Sequence, residues 1–217
     1  MKTILLLISL SIFGSGCAYK RNSESIPSIK AVSIFDGKTF RGWEGDINKT
    51  WRIENGAIVG GSLTATVPHN EFICTERAFT NFILRVKFKL AGTNGFVNGG
   101  VQFRSKRVPN HFEVSGYQAD LGDPAWWGCL YDESRRNKVL VKSNMDEVNK
   151  VLKRSDWNDY EIRCNGKQIQ AWLNGQQTFD YTEKDDSIEM SGVIALQVHG
   201  GGQTEASYKN IFVQELP

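Results

Sequence analysis

Phe82-Ile83-Leu84-Arg85-Val86-Lys87-Phe88-Lys89-Leu90 alternates without a break: Phe82, Leu84, Val86, Phe88 and Leu90 fall on one face, and Arg85, Lys87 and Lys89 on the other. A period of two with cations on one side is the pattern of a half-buried antiparallel strand. The same period recurs in Val101-Gln102-Phe103-Arg104, Tyr160 to Cys164, Gln168 to Leu173 and Gly192 to His199. Turn-forming pairs separate the runs: Asn55-Gly56, Asn94-Gly95, Asn165-Gly166 and Asn174-Gly175. Asn165-Gly166 joins two runs directly and predicts a hairpin. No stretch of ordinary helix length keeps a 3.6-residue period; Asn144 to Val151 is the nearest candidate and is short. The expected fold is all-β, a two-sheet antiparallel jelly-roll sandwich of the concanavalin A-like kind, with one sheet face left to carry a shallow binding surface.

Composition narrows the function. The 217 residues hold 26 Lys+Arg against 24 Asp+Glu, a net charge of +2, so no basic surplus points to nucleic acid. Hydrophobic residues make up 40% and charged residues 23%, which places the chain among folded proteins. At the start, Lys2 precedes the apolar run Ile4 to Phe13, too short to span a bilayer but suited to an export signal. The run ends in Gly14-Ser15-Gly16-Cys17, which resembles the lipobox of bacterial lipoproteins, with Gly14 where that pattern prefers Leu. The expected organisation is a signal peptide over 1–16, a lipidated Cys17 with a polar tether over 17–30, and the domain over 31–217. A plain secretory signal cut nearby is the alternative, and either places the protein outside the cytoplasm, periplasmic or anchored to the outer membrane. Membrane contact would then run through the lipid alone. Of the remaining cysteines, Cys74, Cys129 and Cys164, at most one pair can bridge, and three buried small hydrophobes are an equal reading.

Polar and aromatic residues concentrate between Gln102 and Arg136. If Val101 and Phe103 face the core, Gln102 and Arg104 face the other way. In Tyr117-Gln118-Ala119-Asp120, Gln118 and Asp120 share a face. A guanidinium, amides and a carboxylate on one surface are suited to the hydroxyls and carbonyls of a sugar; an ordinary solvated strand face is the plainer alternative. Trp126 and Trp127, adjacent in a strand, would point to opposite faces, one into the core and one outward as a platform for a pyranose ring. His199 ends an alternating strand beside Gly200-Gly201-Gly202, with Gln197 on its face, a good place for a proton-transfer group. Walker and Rossmann loops, His-Glu-x-x-His and Gly-x-Ser-x-Gly are absent from the sequence, so no nucleotide cofactor is expected. A pair of carboxylates spaced as in an ordinary glycosidase is not identifiable.

A longer set of motifs carries a resemblance. Ser33-Ile34-Phe35-Asp36-Gly37-Lys38-Thr39-Phe40-Arg41-Gly42-Trp43, Trp51 to Gly60, Asn98-Gly99-Gly100-Val101-Gln102-Phe103-Arg104-Ser105, Gly116 to Asp120, Asp156 to Tyr160 and Trp172-Leu173-Asn174-Gly175 occur in that order. Together they resemble the 3-keto-disaccharide hydrolase family, formerly a domain of unknown function, with a concanavalin A-like lectin/glucanase fold. The resemblance implies action on glycosides oxidised to a ketone at C3. That carbonyl acidifies the C2 proton, so a base can form an enolate that expels the C1 substituent, and water can add back for net hydrolysis. It implies Arg104 as the carbonyl or enolate stabiliser, His199 as base or metal ligand with Asp120 as competitor, and Trp127 and Tyr131 as ring-stacking and hydroxyl contacts; Gln102, Gln118, Gln197 and Arg135 are the further substrate contacts expected. The order of acid and amide at Gln118 and Asp120 is exchanged relative to many family members. A divalent metal on the ketone and neighbouring hydroxyl is compatible with this chemistry. The competing reading is a carbohydrate-binding lipoprotein module without catalysis.

Overall fold

The computed structural model describes residues 30–217. The export signal, the lipobox and Cys17 lie outside the described residues. The first sheet has eight strands. Along its path run β13 (Gln176–Thr182), β12 (Gln168–Leu173), β11 (Asn158–Asn165), β6 (Phe82–Gly95), β15 (Gly202–Glu215), β4 (Ala57–Gly61) and β3 (Trp51–Glu54), and β1 (Val32–Ser33) pairs with β15. The second has seven, in the order β10 (Lys138–Val141), β9 (Leu130–Glu133), β8 (Val114–Gly122), β7 (Asn98–Arg107), β14 (Gly192–Val198), β5 (Glu71–Phe79) and β2 (Trp43–Glu44). Every pairing is antiparallel, as expected of a jelly-roll sandwich.

The alternating run lies in β6 as read. Phe82, Leu84, Val86, Phe88 and Leu90 are buried between the sheets, while Arg85 and Lys87 pair outward with Glu161 and Asp159 of β11. From the second sheet Val101, Phe103, Ala119, Leu121, Leu130, Ile194, Leu196 and Val198 complete this core. Asn165-Gly166 makes the β11–β12 hairpin, with Asn165 opposite Gln168 and Gly166 at φ 52°. The one helix among the described residues, α1 (Met145–Val151), is capped by Asn144, whose side chain accepts from the amides of Asp146 and Glu147. Cys74, Cys129 and Cys164 are free and buried, and burial pushes the thiols of Cys74 and Cys164 up to about 12. They are small hydrophobes. No helix among the described residues is long and apolar enough to cross a membrane.

The outer face of the second sheet is not the open surface the sequence suggested. Gln102, Gln118, Asp120 and Gln197 are at most 2% exposed, and Phe72, Cys74, Val114 and Ala195 form a second apolar cluster apart from the main core. Polar groups on this face are therefore desolvated, which raises the strength of every interaction they make and the cost of every one they lack.

Candidate active site

Strand register lays the site out in rows. In one row Phe72, Gln197, Gly100 and Asp120 stand side by side across β5, β14, β7 and β8. In the next stand Cys74, Ala195, Gln102, Gln118 and Tyr131. Gly100 is what lets the rows interlock, because a Cβ there would meet Cδ of Gln118 at 2.5 Å. Without one, the Gln118 amide lies over the strand and donates from Nε2 to Asp120 Oδ1 at 2.7 Å and to Gln197 Oε1 at 3.2 Å. Gln197 in turn donates to Glu133 Oε2 at 3.4 Å.

Beside this chain of amides and carboxyls lies a pocket of about 120 Å³. Asp120, Gln118 and Glu133 supply its polar wall and His199 its rim, while Trp126, Tyr131 and Phe96 supply its rings and Asn98 a further amide. His199 Nδ1 lies 2.7 Å from the carbonyl of Gly200, which can only accept; the proton is therefore on Nδ1 and Nε2 is the free nitrogen. Phe96 meets the imidazole edge-on at 4.7 Å, and Trp126 meets Tyr131 likewise at 6.0 Å. Larger hollows exist, one of about 440 Å³ over Arg85, Asp159, Glu161 and Trp172, but the charges there are exposed and paired across strands.

Both carboxyls of the small pocket hold protons tightly. Burial pushes Asp120 well above the usual carboxylate range, with the charge of Glu133 adding to the rise and the Gln118 amide opposing it. Burial, then the neighbouring charge of Glu113, lifts Glu133 to about 7. Burial thus favours the protonated form of Asp120, while Glu133 is poised to take or give a proton near neutrality. Asp120 Oδ2 and Gln118 Oε1 are buried and unpartnered by protein, as is Oε1 of Gln102 next to them. Such atoms are rare unless a polar ligand answers them. Among the described residues no three His, Cys, Asp or Glu side chains group as a metal site.

Asp120, Gln118, Tyr131, Gln197 and His199 therefore converge as the sequence suggested, although Gln197 lies behind the wall. Gln102 lies one row away and donates to the Val114 carbonyl at 3.1 Å. Three assignments need correction. Arg104 is not in this pocket. A bulge between Phe103 and Lys106 breaks the strand parity, Arg104 takes φ 49°, and its guanidinium turns to the far end of the sandwich. There it donates to the carbonyls of Thr80 (2.8 Å) and Gly166 (2.7 Å) and to Asn81 Oδ1 (3.2 Å). Trp127 is the core tryptophan, 3% exposed, stacked on Phe88 and bonded through Nε1 to Asp123, while Trp126 faces the pocket; the pair sits in a turn, so strand parity could not choose between them. Arg135 is also remote, held by Asp132 at 2.7 Å over the ring of Tyr117. Sequence reading missed Glu133, Trp126, Asn98 and Phe96. For Glu133 a signal was present, since it stands two residues after Tyr131 and shares its face.

A family model described as the 3-keto-alpha-glucoside-1,2-lyase-like domain matches residues 30–214. The chain belongs to that family. No protein of curated function matches it in sequence. Among solved structures, a Parabacteroides distasonis protein provisionally described as a glycosyl hydrolase superposes with a TM-score of 0.65 at 21% identity, over 86% of this chain and 94% of its own. A carbohydrate-binding module from Bacillus subtilis gives 0.59 at 18% identity, over 78% and 93%. A Bacillus subtilis protein of unknown function with a galectin-like fold gives 0.59 at 10%, over 81% and 90%. At these identities the likeness is one of fold, and the lyase-like family shares its sandwich with both hydrolases and sugar-binding modules.

Proposed function

We propose that the chain cleaves glycosides carrying a ketone at C3, by base-initiated elimination across C1 and C2 followed by addition of water. Glu133 takes the C2 proton, and the electron pair of that bond moves into the enolate on the C3 oxygen. Asp120, kept neutral by burial, donates its Oδ2 proton as a hydrogen bond to that oxygen, in the role first given to Arg104. Collapse of the enolate forms the C1–C2 double bond and expels the C1 oxygen, which takes a proton from a water molecule whose other hydrogen bonds to Nε2 of His199. The hydroxide left by that transfer adds at C1 while Glu133 returns its proton to C2, so that glycoside and water become the free 3-keto sugar and the released aglycone. Trp126 supports the apolar face of the ring, and Tyr131 and Asn98 bind hydroxyls.

One observation carries this reading: two carboxyls line one pocket, with environments that hold one as an acid and set the other to titrate at about 7. Binding alone needs no such division. The test is steady-state cleavage of a 3-keto-glucoside beside calorimetric binding of the same sugar. Glu133→Gln should lose about 10²-fold or more in kcat while binding stays within about tenfold. A wild-type protein that binds the sugar but never turns it over above buffer would leave the carbohydrate-binding alternative. Export and lipid attachment at Cys17 belong to the same proposal, tested by mass spectrometry of the protein recovered from envelope fractions.

A further inference from the structure

Arg104 raises a question of its own. It is 2% exposed, and among the described residues no carboxylate pairs with it; its partners are two carbonyls, an amide oxygen and, at 3.3 Å, the sulfur of Met190. All are neutral. A buried cation without an anion is costly, and burial accordingly pushes its pKa down. With the bulge and the left-handed backbone, Arg104 comes to line a hollow of about 230 Å³ at the end of the sandwich away from Asp120, its guanidinium bonded to the turns beneath. Arg104 stands four residues along β7 from Gly100, roughly 13 Å, and its side chain turns toward the β5–β6 and β11–β12 turns.

Two further cations line that hollow. Arg135 reaches Asp132 through Nε, but its Nη2 is buried with no partner. Lys106, on the exposed rim, is held by Glu189 at 2.5 Å. Ser115 and Ser191 add hydroxyls to the same walls, while the Ser187 hydroxyl is committed to Asp185 Oδ1 at 2.6 Å. Asp132 and Glu189 offset Arg135 and Lys106, so the charge left over is that of Arg104. An orphaned guanidinium nitrogen, an unpaired buried charge and two hydroxyls together want an acceptor-rich anion.

We propose that this end of the sandwich binds a tetrahedral oxyanion of the sulfate or phosphate class, free or as an ester on a sugar. The anion accepts from Nη2 of Arg135 and from the hydroxyls of Ser115 and Ser191, with Lys106 closing the rim and Arg104 supplying the field from beneath. The site is separate from the catalytic pocket and does not depend on the reaction proposed for it.

Sulfate stabilises folded proteins in general, so the readout is heat of binding rather than melting temperature. Sodium sulfate and sodium phosphate are titrated into the full-length protein by calorimetry, against sodium chloride at equal ionic strength. Saturable one-to-one binding is expected, weakened about tenfold or more by Lys106→Ala and by Arg135→Lys and unchanged by Glu133→Gln. Lys106 is exposed, so its substitution leaves folding intact. A sulfated monosaccharide that binds tighter than the inorganic ion, with the same loss in both variants, marks the natural ligand as an ester; equal affinity marks it as the free ion. No saturable heat with the wild type, or equal affinity in Lys106→Ala and Arg135→Lys, overturns the proposal.

Discussion

Gln118 donates to Asp120 from Nε2 to Oδ1 at 2.7 Å, within one strand and across the residue between them. That bond occupies one oxygen of a fully buried carboxyl and leaves Oδ2 unpartnered in the wall of the pocket. An acid so placed keeps its proton and has a single direction in which to offer it. The consequences can be checked one residue at a time.

Asp120→Asn keeps an acceptor for Gln118 and an N–H donor at the pocket, whereas Asp120→Ala keeps neither. The alanine variant should lose about 10²–10³ in kcat, the scale of a lost oxyanion donor, and the asparagine variant clearly less. Stability carries a sign as well. Because the folded carboxyl holds its proton above the pH at which the unfolded one ionises, wild-type stability falls as pH rises through and beyond the ordinary carboxylate range. Urea unfolding should therefore show Asp120→Asn gaining on the wild type more at pH 8 than at pH 5.

The two tryptophans separate recognition from folding. Trp127→Ala opens the core beside Phe88 and should cost about 3–5 kcal/mol, read from denaturant midpoints. Trp126→Ala should leave stability within about 1 kcal/mol and raise KM for a keto-glycoside roughly tenfold, about 1.4 kcal/mol. The opposite pattern would put the platform on the wrong ring.

Behind the site, Glu183 accepts from Tyr117 at 2.6 Å and from Arg136 Nη2 at 2.6 Å. Burial by itself would raise this carboxyl; the bonds from Arg136 and Tyr117 prevail and hold it down at about 2. Its contribution is complete above about 4.5 and is lost as pH falls toward 2. Glu183→Ala should cost about 1–3 kcal/mol at pH 7, because it leaves Arg136 with Asp132 alone and the buried Tyr117 hydroxyl without its acceptor, and the deficit should shrink as the pH is lowered through that window. A double-mutant cycle with Tyr117→Phe should return a coupling of about 1 kcal/mol.

Much of this was legible in the chain. Period-two alternation is a strong signal where side chains are sorted between a core and water, so Phe82 to Leu90 announced its face and its strand. Gln118 with Asp120 and Gln197 with His199 followed from the same parity. Parity failed where the backbone leaves the regular strand. One bulge sends Arg104 to the opposite end of the domain, and the turn from Asp123 to Gly128 exchanges the fates of Trp126 and Trp127. Burial was the second blind spot. A sequence does not say that the outer face of a sheet is covered, and covering is what lifts Asp120 and Glu133 out of the ordinary carboxylate range. Glu133 was therefore readable as a neighbour of Tyr131 but not as a base.

Glu133 is where the account is most exposed. Exchange at C2 of a 3-keto-glucoside in deuterated buffer, followed by proton NMR from pH 5 to 9, reads proton abstraction even where cleavage is slow. For the wild type the exchange rate should rise with pH and level off above a midpoint near 7, and Glu133→Gln should reduce it about 10²-fold or more at every pH. Exchange that persists at the wild-type rate in Glu133→Gln, with the same midpoint, would contradict the account and move the base to His199.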